Sequence, residues 1–280
     1  MEFTKLTDQE RADWLELTET DYENSPLKDD MSSELFDLIA GIFSDAAEDD
    51  FDGMLYWINS QPSLHHRGLR NPVFRRLQIR AYEHAIACGN GPCCCNLGNL
   101  YHDADTTGTA EDYDAARELY ELGADRGDDQ SAINLGYLYY YGRGVARDYQ
   151  RAYECFAHGA LSADNPEGYW KLGDLYASGN GVRQSDRMAW TLYSKAYKNA
   201  HGSALTCRAA HHMADYLLTG IEGVVEEDPT GALRLYNEAE AGYYTLIDAG
   251  MTYYIPQLQQ AIEGQEKARW VIQHRFLHFD

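Results

Sequence analysis

The chain has 280 residues, a hydrophobic fraction of 44% and a formal net charge of −22 at pH 7, with a pI of about 4.7. This excess of carboxylates repels phosphate backbones and anionic membranes, so we expect neither nucleic acid nor a membrane surface as a direct partner. The sequence shows no signal peptide and no apolar run long enough to span a bilayer, and its six cysteines lack even spacing. We therefore expect a cytoplasmic protein with free thiols.

The N-terminal charge is uneven. Residues 1–60 hold 17 acidic side chains against three basic ones, whereas residues 61–90 hold five arginines against one carboxylate. One interpretation is two separately solvated faces. The other is that the acidic region folds back onto the arginine-rich segment, which predicts a contact that weakens as salt is added.

Three short amphipathic helices are expected before the central part of the chain, at residues 8–20, 32–43 and 45–60, the second starting at Ser32 or Ser33. Residues 252–277 predict one or two C-terminal helices, with Pro256 near the beginning. These terminal helices would cover the apolar ends of whatever lies between them.

The central part repeats. A Leu-Gly pair recurs at spacings of 37 and 38 residues, with a degenerate Met-Ala version 41 residues after the last, and each pair is followed by an alanine and then, four residues on, an aromatic. The pairs are Leu97-Gly98, Leu135-Gly136, Leu172-Gly173 and Met213-Ala214, and the aromatics are Tyr120, Phe156, Tyr193 and Tyr236.

Each repeat predicts a helical hairpin. A mid-helix glycine costs about 1 kcal/mol relative to alanine, so its recurrence indicates that a neighbouring helix comes too close for a side chain. Gly-x-Gly segments at residues 142–144 and 179–181 then end the first helix, because glycine accepts the left-handed conformation of a C-cap. Asp148, Ser185 and Asp228 are expected to cap the second helix.

The pattern A-x-x-L-G-x-x-Y-x-x-G-x-G-V-x-x-D-x-x-x-A, clearest from Ala132 to Ala152, resembles the Sel-1-like repeat, a relative of the tetratricopeptide repeat. The resemblance covers about residues 76–245. It implies an all-α fold, a right-handed α-α superhelix or solenoid of about four to five helical hairpins with N- and C-terminal capping helices. We predict three regions: an acidic cap and basic connector (1–75), the repeat solenoid (76–245) and a C-terminal capping helix (246–280).

Two segments contain residue types that could bind a metal ion. Residues 48–59 place acidic residues at several EF-hand positions but carry Asn59 where a bidentate glutamate belongs, so an acidic helix start is the favoured interpretation. His84 and Cys88, four residues apart, with Cys93–Cys95 and His102 nearby, have zinc-type donors, but Cys94 occupies the small-residue position of the repeat. We predict no metal and no cofactor.

The motifs in the sequence give little support for a catalytic function. Some secreted relatives of the repeat family have been linked to β-lactam binding or hydrolysis, and residues 25–28 (SPLK) match S-x-x-K. However, the companion motifs are missing and Pro26 disrupts the helix that would bring Lys28 to Ser25. The chain is therefore expected not to be an enzyme.

The resemblance implies that the first helix of each hairpin lines a concave face. Three sets of positions would then point out of the stack: the residue just after the glycine, the residues one turn after that, and the residue two before the leucine. Together they would combine aromatic side chains with carboxylates. The predicted partner-binding residues are Asn99, His102, Asp103, Tyr137, Tyr140, Tyr141, Trp170, Asp174, His211 and Asp215. The alternative is that the Tyr and Trp residues among them are partly buried spacers.

Three functions remain open. The first is a non-catalytic scaffold or adaptor that binds a protein or peptide on the concave face. The second is an acidic inhibitory or immunity-type protein that blocks a basic partner such as a nuclease, and the third is a β-lactam-binding or hydrolysing enzyme. The sequence identifies neither the partner nor the oligomeric state.

Overall fold

The computed structural model describes residues 1–29, 31–60, 72–102, 112–200 and 203–275, and within these ranges the fold is all-α. The only β-type pairing there is an isolated bridge between Ile221 and Val225. The helices are α1 (Asp8–Glu19), α2 (Ser33–Ala47), α3 (Phe51–Ser60), α4 (Pro72–Ala87), α5 (Pro92–His102), α6 (Tyr113–Asp125), α7 (Asp129–Tyr141), α8 (Tyr149–Ala163), α9 (Pro166–Ser178), α10 (Asp186–Asn199), α11 (Thr206–Thr219), α12 (Pro229–Asp248) and α13 (Ile255–Arg275).

The chain divides into two compact units, Met1–Leu138 and Tyr139–Asp280. In the second unit each helix packs on the next, from α8 and α9 through to α12 and α13, as stacked helical hairpins should. The predicted all-α solenoid of hairpins is confirmed, whereas the three predicted regions stay predictions. None of the described helices has the length and apolar character needed to cross a bilayer.

Local sequence signals explain where the helices begin and end. Asp148 accepts the backbone N–H groups of residues 150 and 151, Ser185 accepts that of residue 188, and Asp228 accepts that of residue 231, so all three predicted N-caps are confirmed. Gly142 and Gly179 have φ of 71° and 72°, the left-handed conformation expected after the first helix.

The predicted third N-terminal helix starts later than expected. Asp49 has a φ of 61°, which ends α2, and α3 begins only at Phe51. Asp50 accepts the N–H of Gly53 in the first turn of α3, so this acidic stretch serves as a helix start, as the favoured interpretation held.

The core of the first unit takes buried residues from α1 through α6, and the N-terminal segment is anchored against α4. Arg80 of α4 forms an ion pair with Glu10 at 3.0 Å and donates to the carbonyl oxygen of Thr4 at 2.8 Å. The fully buried His84, one turn further along α4, accepts the N–H of Leu6 on Nδ1 at 2.9 Å. At Arg80, therefore, the acidic region does fold back onto the basic segment, while Arg67 and Arg70 lie outside the described residues.

The close approach expected at the recurring glycine is real and comes from the second helix of the same hairpin. A Cβ on Gly98 would lie 2.5 Å from the ring of Tyr120, and a Cβ on Gly173 would lie 2.5 Å from the ring of Tyr193. Both rings are buried. Glycine and tyrosine at these positions thus form one packing unit within a hairpin.

Candidate interaction surface

A hydrogen bond recurs beside each of these packing units. The hydroxyl of the second-helix tyrosine donates to the side chain that follows the Leu-Gly or Met-Ala pair on the first helix. The pairs are Tyr120 with Asn99 at 2.7 Å, Tyr193 with Asp174 at 3.0 Å and Tyr236 with Asp215 at 2.6 Å. Burial and then the adjacent carboxylate raise the pKa of Tyr193 and of Tyr236 well above the usual range, so both hydroxyls stay protonated donors.

The remaining repeat departs from this pattern at both positions. The second-helix aromatic is Phe156, which has no hydroxyl, and the residue after the Leu-Gly pair is Tyr137, which has neither a carboxylate nor an amide. Donor and acceptor are therefore lost together within one repeat. This joint change indicates that the carboxylates at the other positions serve hairpin packing.

In the first unit the predicted residues are tied to their neighbours. Asn99 accepts from the Tyr120 hydroxyl and also from Nδ2 of Asn134 at 2.9 Å. The ring of His102 packs edge-on against Tyr113, with centroids 5.3 Å apart. Asp103 lies outside the described residues.

In the second unit a lysine is buried among aromatic rings. Lys171 on α9 is only 4% exposed, and its Nζ lies 4.0 Å from the centroid of the Trp170 ring, 5.0 Å from that of Tyr140 and 5.9 Å from that of Tyr141. Its carboxylate partner is Asp174, at 3.2 Å. Aromatic faces and one carboxylate together stabilise the ammonium in a place where water cannot.

A second cation sits beside this one. The guanidinium carbon of Arg208 on α11 lies over two aromatic rings, 4.2 Å from the centroid of Trp170 and 4.3 Å from that of Tyr254. In the described part of the chain no carboxylate forms an ion pair with Arg208, and its buried Nε has no hydrogen-bond partner. The buried Nε1 of Trp170 has none either.

Asp174 is shared by several donors. One carboxylate oxygen accepts from the Tyr193 hydroxyl and lies 3.3 Å from Nε2 of His212, while the other faces Lys171. The His212 ring stacks on Tyr193, with centroids 4.7 Å apart. We expected this carboxylate to select basic partner groups, but in the structure donors of its own unit surround it.

Four consecutive segments of the chain, residues 91–128, 129–161, 166–201 and 207–242, match the family model described as Sel1 repeat. Together they cover just over half of the chain. The protein belongs to the Sel1 repeat family.

Two plant proteins are similar to this chain in sequence. The chain is 32% and 31% identical over 89 residues to the Arabidopsis thaliana proteins called ERAD-associated E3 ubiquitin-protein ligase component HRD3B and HRD3A. The match spans 32% of this chain but only 15% and 13% of those relatives. It therefore covers a small part of each of them.

Two solved structures share the fold. One is c5321, a protective antigen of uropathogenic Escherichia coli displaying an SLR fold, with a TM-score of 0.54 and 22% identity over 92% of this chain and 53% of that one. The other is a Sel1 repeat protein from Oxalobacter formigenes, with a TM-score of 0.52 and 21% identity over 83% of this chain and 99% of that one. At these identities the likeness shows the fold alone.

The Sel1 repeats place the predicted residues of the second unit at very different depths. Tyr141 is 46% exposed and Asp215 is exposed, Tyr140 and Asp174 are half-buried, and Trp170 and His211 are only 5% and 6% exposed. Nδ1 of His211 lies 3.1 Å from the hydroxyl of Tyr243, and burial lowers the pKa of His211. Their predicted part in partner binding, and that of Tyr137 in the first unit, stays a prediction.

Sequence reasoning missed Lys171, Arg208 and Tyr254. Only Lys171 carried a signal, since a lysine between Trp170 and Leu172 interrupts an otherwise apolar turn of a first helix. Arg208 occupies no recurring position of the Sel1 repeat, and Tyr254 lies beyond the last repeat. Their meeting over Trp170 depends on how α9, α11 and the turn before α13 pack.

The structure adds Asp49 to the candidate zinc ligands His84 and Cys88, but both ring nitrogens of His84 already have other partners. One ligand atom from each of Asp49, His84 and Cys88 lies within 4.8 Å of the others. However, Nδ1 of His84 accepts the Leu6 N–H, so Nε2 carries the proton that it shares with Asp49 at 2.6 Å. With both ring nitrogens engaged, the imidazole has no lone pair to offer a metal.

Proposed function

We propose that this Sel1 repeat protein is a non-catalytic interaction scaffold, and that the first-helix side of its second unit binds a segment of a partner protein. The observation that carries the proposal is the cluster of Tyr141, Trp170, Lys171, Arg208 and Tyr254, which we call the aromatic–cation cluster. It combines Tyr, Trp and Arg, the residue types enriched where proteins bind proteins, with one lysine.

Two further observations support a binding role. The cations of the cluster are fixed by rings and not by flexible surface pairing, so little side-chain entropy is lost when a partner binds. Family membership agrees, because stacked hairpins form an extended surface and the names of the Arabidopsis relatives describe components of a larger assembly.

Site-specific photo-crosslinking tests the proposal. Tyr141 is replaced by p-benzoylphenylalanine in the full chain and irradiated in cells. The matched control carries the same group at Leu161, which is 74% exposed on the second helix α8. We expect a discrete adduct, identified by mass spectrometry, from position 141 and none from position 161. Equal labelling from both positions, or labelling only from position 161, would place binding elsewhere.

A second function is favoured by the first unit, where 14 of the 16 described acidic residues among residues 1–60 are exposed. Such a surface steers basic proteins and supports the inhibitory or immunity-type alternative. Biolayer interferometry against a basic nuclease at 50 and 500 mM NaCl tests it. Binding that weakens strongly with salt, and that is lost when α1 acids are neutralised, supports this role. A salt-independent signal argues against it.

A further inference from the structure

We propose that Arg208 is the anchor of a subsite for a carboxylate group, so that the segment bound by the second unit carries an acidic side chain or a free C-terminus at this point. The inference deepens the proposed function and rests on it. It reverses the charge preference that the sequence predicted for this surface.

The side-chain N–H groups of Arg208 are available for recognition. Trp170 and Tyr254 lie over the guanidinium at 4.2 and 4.3 Å from their ring centroids, and the residue as a whole remains partly exposed. The Arg208 side chain donates no hydrogen bond to any described residue, so its N–H groups are what a ligand can meet. A planar fork held in this way matches the two oxygens of a carboxylate.

The local charge balance favours an anion. Lys171 already has Asp174 as its carboxylate partner at 3.2 Å, and the same carboxylate serves Tyr193 and His212. Arg208 has no such partner among the described residues. A half-buried cation without a counter-charge has lost part of its hydration, and a carboxylate from a partner would supply the missing charge.

The hydrogen-bond balance points the same way. Nε of Arg208 and Nε1 of Trp170 are both buried donors without an acceptor. Most buried donors in folded proteins are satisfied, so two unsatisfied ones beside each other mark a place where an acceptor is expected.

A protein carboxylate fits better than a polyanion. The chain carries a net charge of −22, which repels nucleic acid and other extended phosphate chains at long range. A single carboxylate on a peptide brings only one negative charge to a single unbalanced cation. We therefore commit to an acidic or C-terminal peptide segment, with phosphate as an alternative outcome of the test.

The side-chain N–H signals of Arg208 and Trp170 report on the subsite directly. The full-length ¹⁵N-labelled protein is titrated with glutarate at constant ionic strength, with glutaramide as the uncharged isostere and inorganic phosphate as the competing anion. We expect saturable shifts of both signals with glutarate only, with a Kd on the order of 1–10 mM for so small a ligand. No saturable shift, an equal response to glutaramide, or tighter binding of phosphate overturns the carboxylate assignment.

Charge-matched variants separate the subsite from general charge effects. Arg208→Gln should weaken glutarate binding about tenfold or more, and Arg208→Lys nearly as much because the fork is lost. Arg183→Gln removes the same charge from an exposed loop of the same unit and should change nothing. Unchanged glutarate affinity in a folded Arg208→Gln variant refutes the inference. If Arg208→Gln does not fold, the wild-type titration decides.

The two proposals fail separately. An adduct from position 141 that forms equally well with Arg208→Gln, together with no glutarate response, would keep the scaffold and refute the carboxylate subsite. If position 141 gives no adduct, the proposed scaffold surface is refuted, whatever the result of the glutarate titration.

Discussion

Replacing Gly173 by alanine tests how the Sel1 hairpins are packed. Alanine is favoured over glycine inside a helix by about 1 kcal/mol, so sequence propensity alone predicts a more stable protein. The structure predicts the opposite, because the new Cβ would lie 2.5, 2.7 and 3.0 Å from three ring atoms of Tyr193. Carbon atoms in contact normally stay about 3.5–4.0 Å apart.

Tyr193 has little room to yield. It is 1% exposed, its hydroxyl is hydrogen-bonded to Asp174 at 3.0 Å and its ring is stacked on His212. Overpacking of this kind costs about 1–3 kcal/mol, so after the gain of about 1 kcal/mol in helix propensity we expect Gly173→Ala to lower the free energy of unfolding by up to about 2 kcal/mol. Urea unfolding followed by circular dichroism measures it.

A double mutant isolates the cause. In a Tyr193→Leu background the ring is gone, so Gly173→Ala should become stabilising by about 1 kcal/mol. The fourth repeat already shows this exchange, since it carries Ala214 at the equivalent position and the Tyr236 ring instead abuts Gly264 of α13. Destabilisation of the same size in both backgrounds would refute the ring-packing explanation.

Three other results are expected in the first unit. Burial lowers the pKa of His84, so as pH falls below about 6.5 the unfolded chain binds a proton at this residue more readily than the folded chain does. The free energy of unfolding should therefore fall from pH 7 to pH 5. Denaturation curves of His84→Gln should show a weaker dependence on pH. Arg80→Gln should expose the N-terminal segment to limited proteolysis, whereas Arg76→Gln, an exposed neighbour on α4, should leave the cleavage rate unchanged. Zinc should leave the melting temperature of the wild type unmoved, and a rise that is lost in Cys88→Ser would show that His84 can release its bond to Leu6.

Much of the fold followed from local patterns that do not need the rest of the chain. Asp148, Ser185 and Asp228 began helices where they were expected, because capping depends on residues within one turn. Helix ends that depend on a residue with positive φ were harder to predict. Asp49 is an example, since its backbone conformation separates α2 from α3 and α3 begins later than expected. The surroundings of the candidate surface could not be predicted from local patterns, since Tyr193 and His212 beside Asp174 and the rings over Arg208 come from other elements of the fold.

By itself, the sequence determined that the chain forms Sel1 hairpins. Glycine, alanine and aromatic residues recur at fixed helical offsets, and burial of an apolar stripe with that period is possible only in paired helices. Only the tertiary structure decided which polar side chains are paired within the fold and which have no partner there among the described residues. Asp174 and Asp215 became acceptors for buried tyrosines, while Arg208 met Trp170 and Tyr254 without a counter-charge. Such pairings join residues tens of positions apart, and their energy depends on distance and burial, which a linear pattern does not contain.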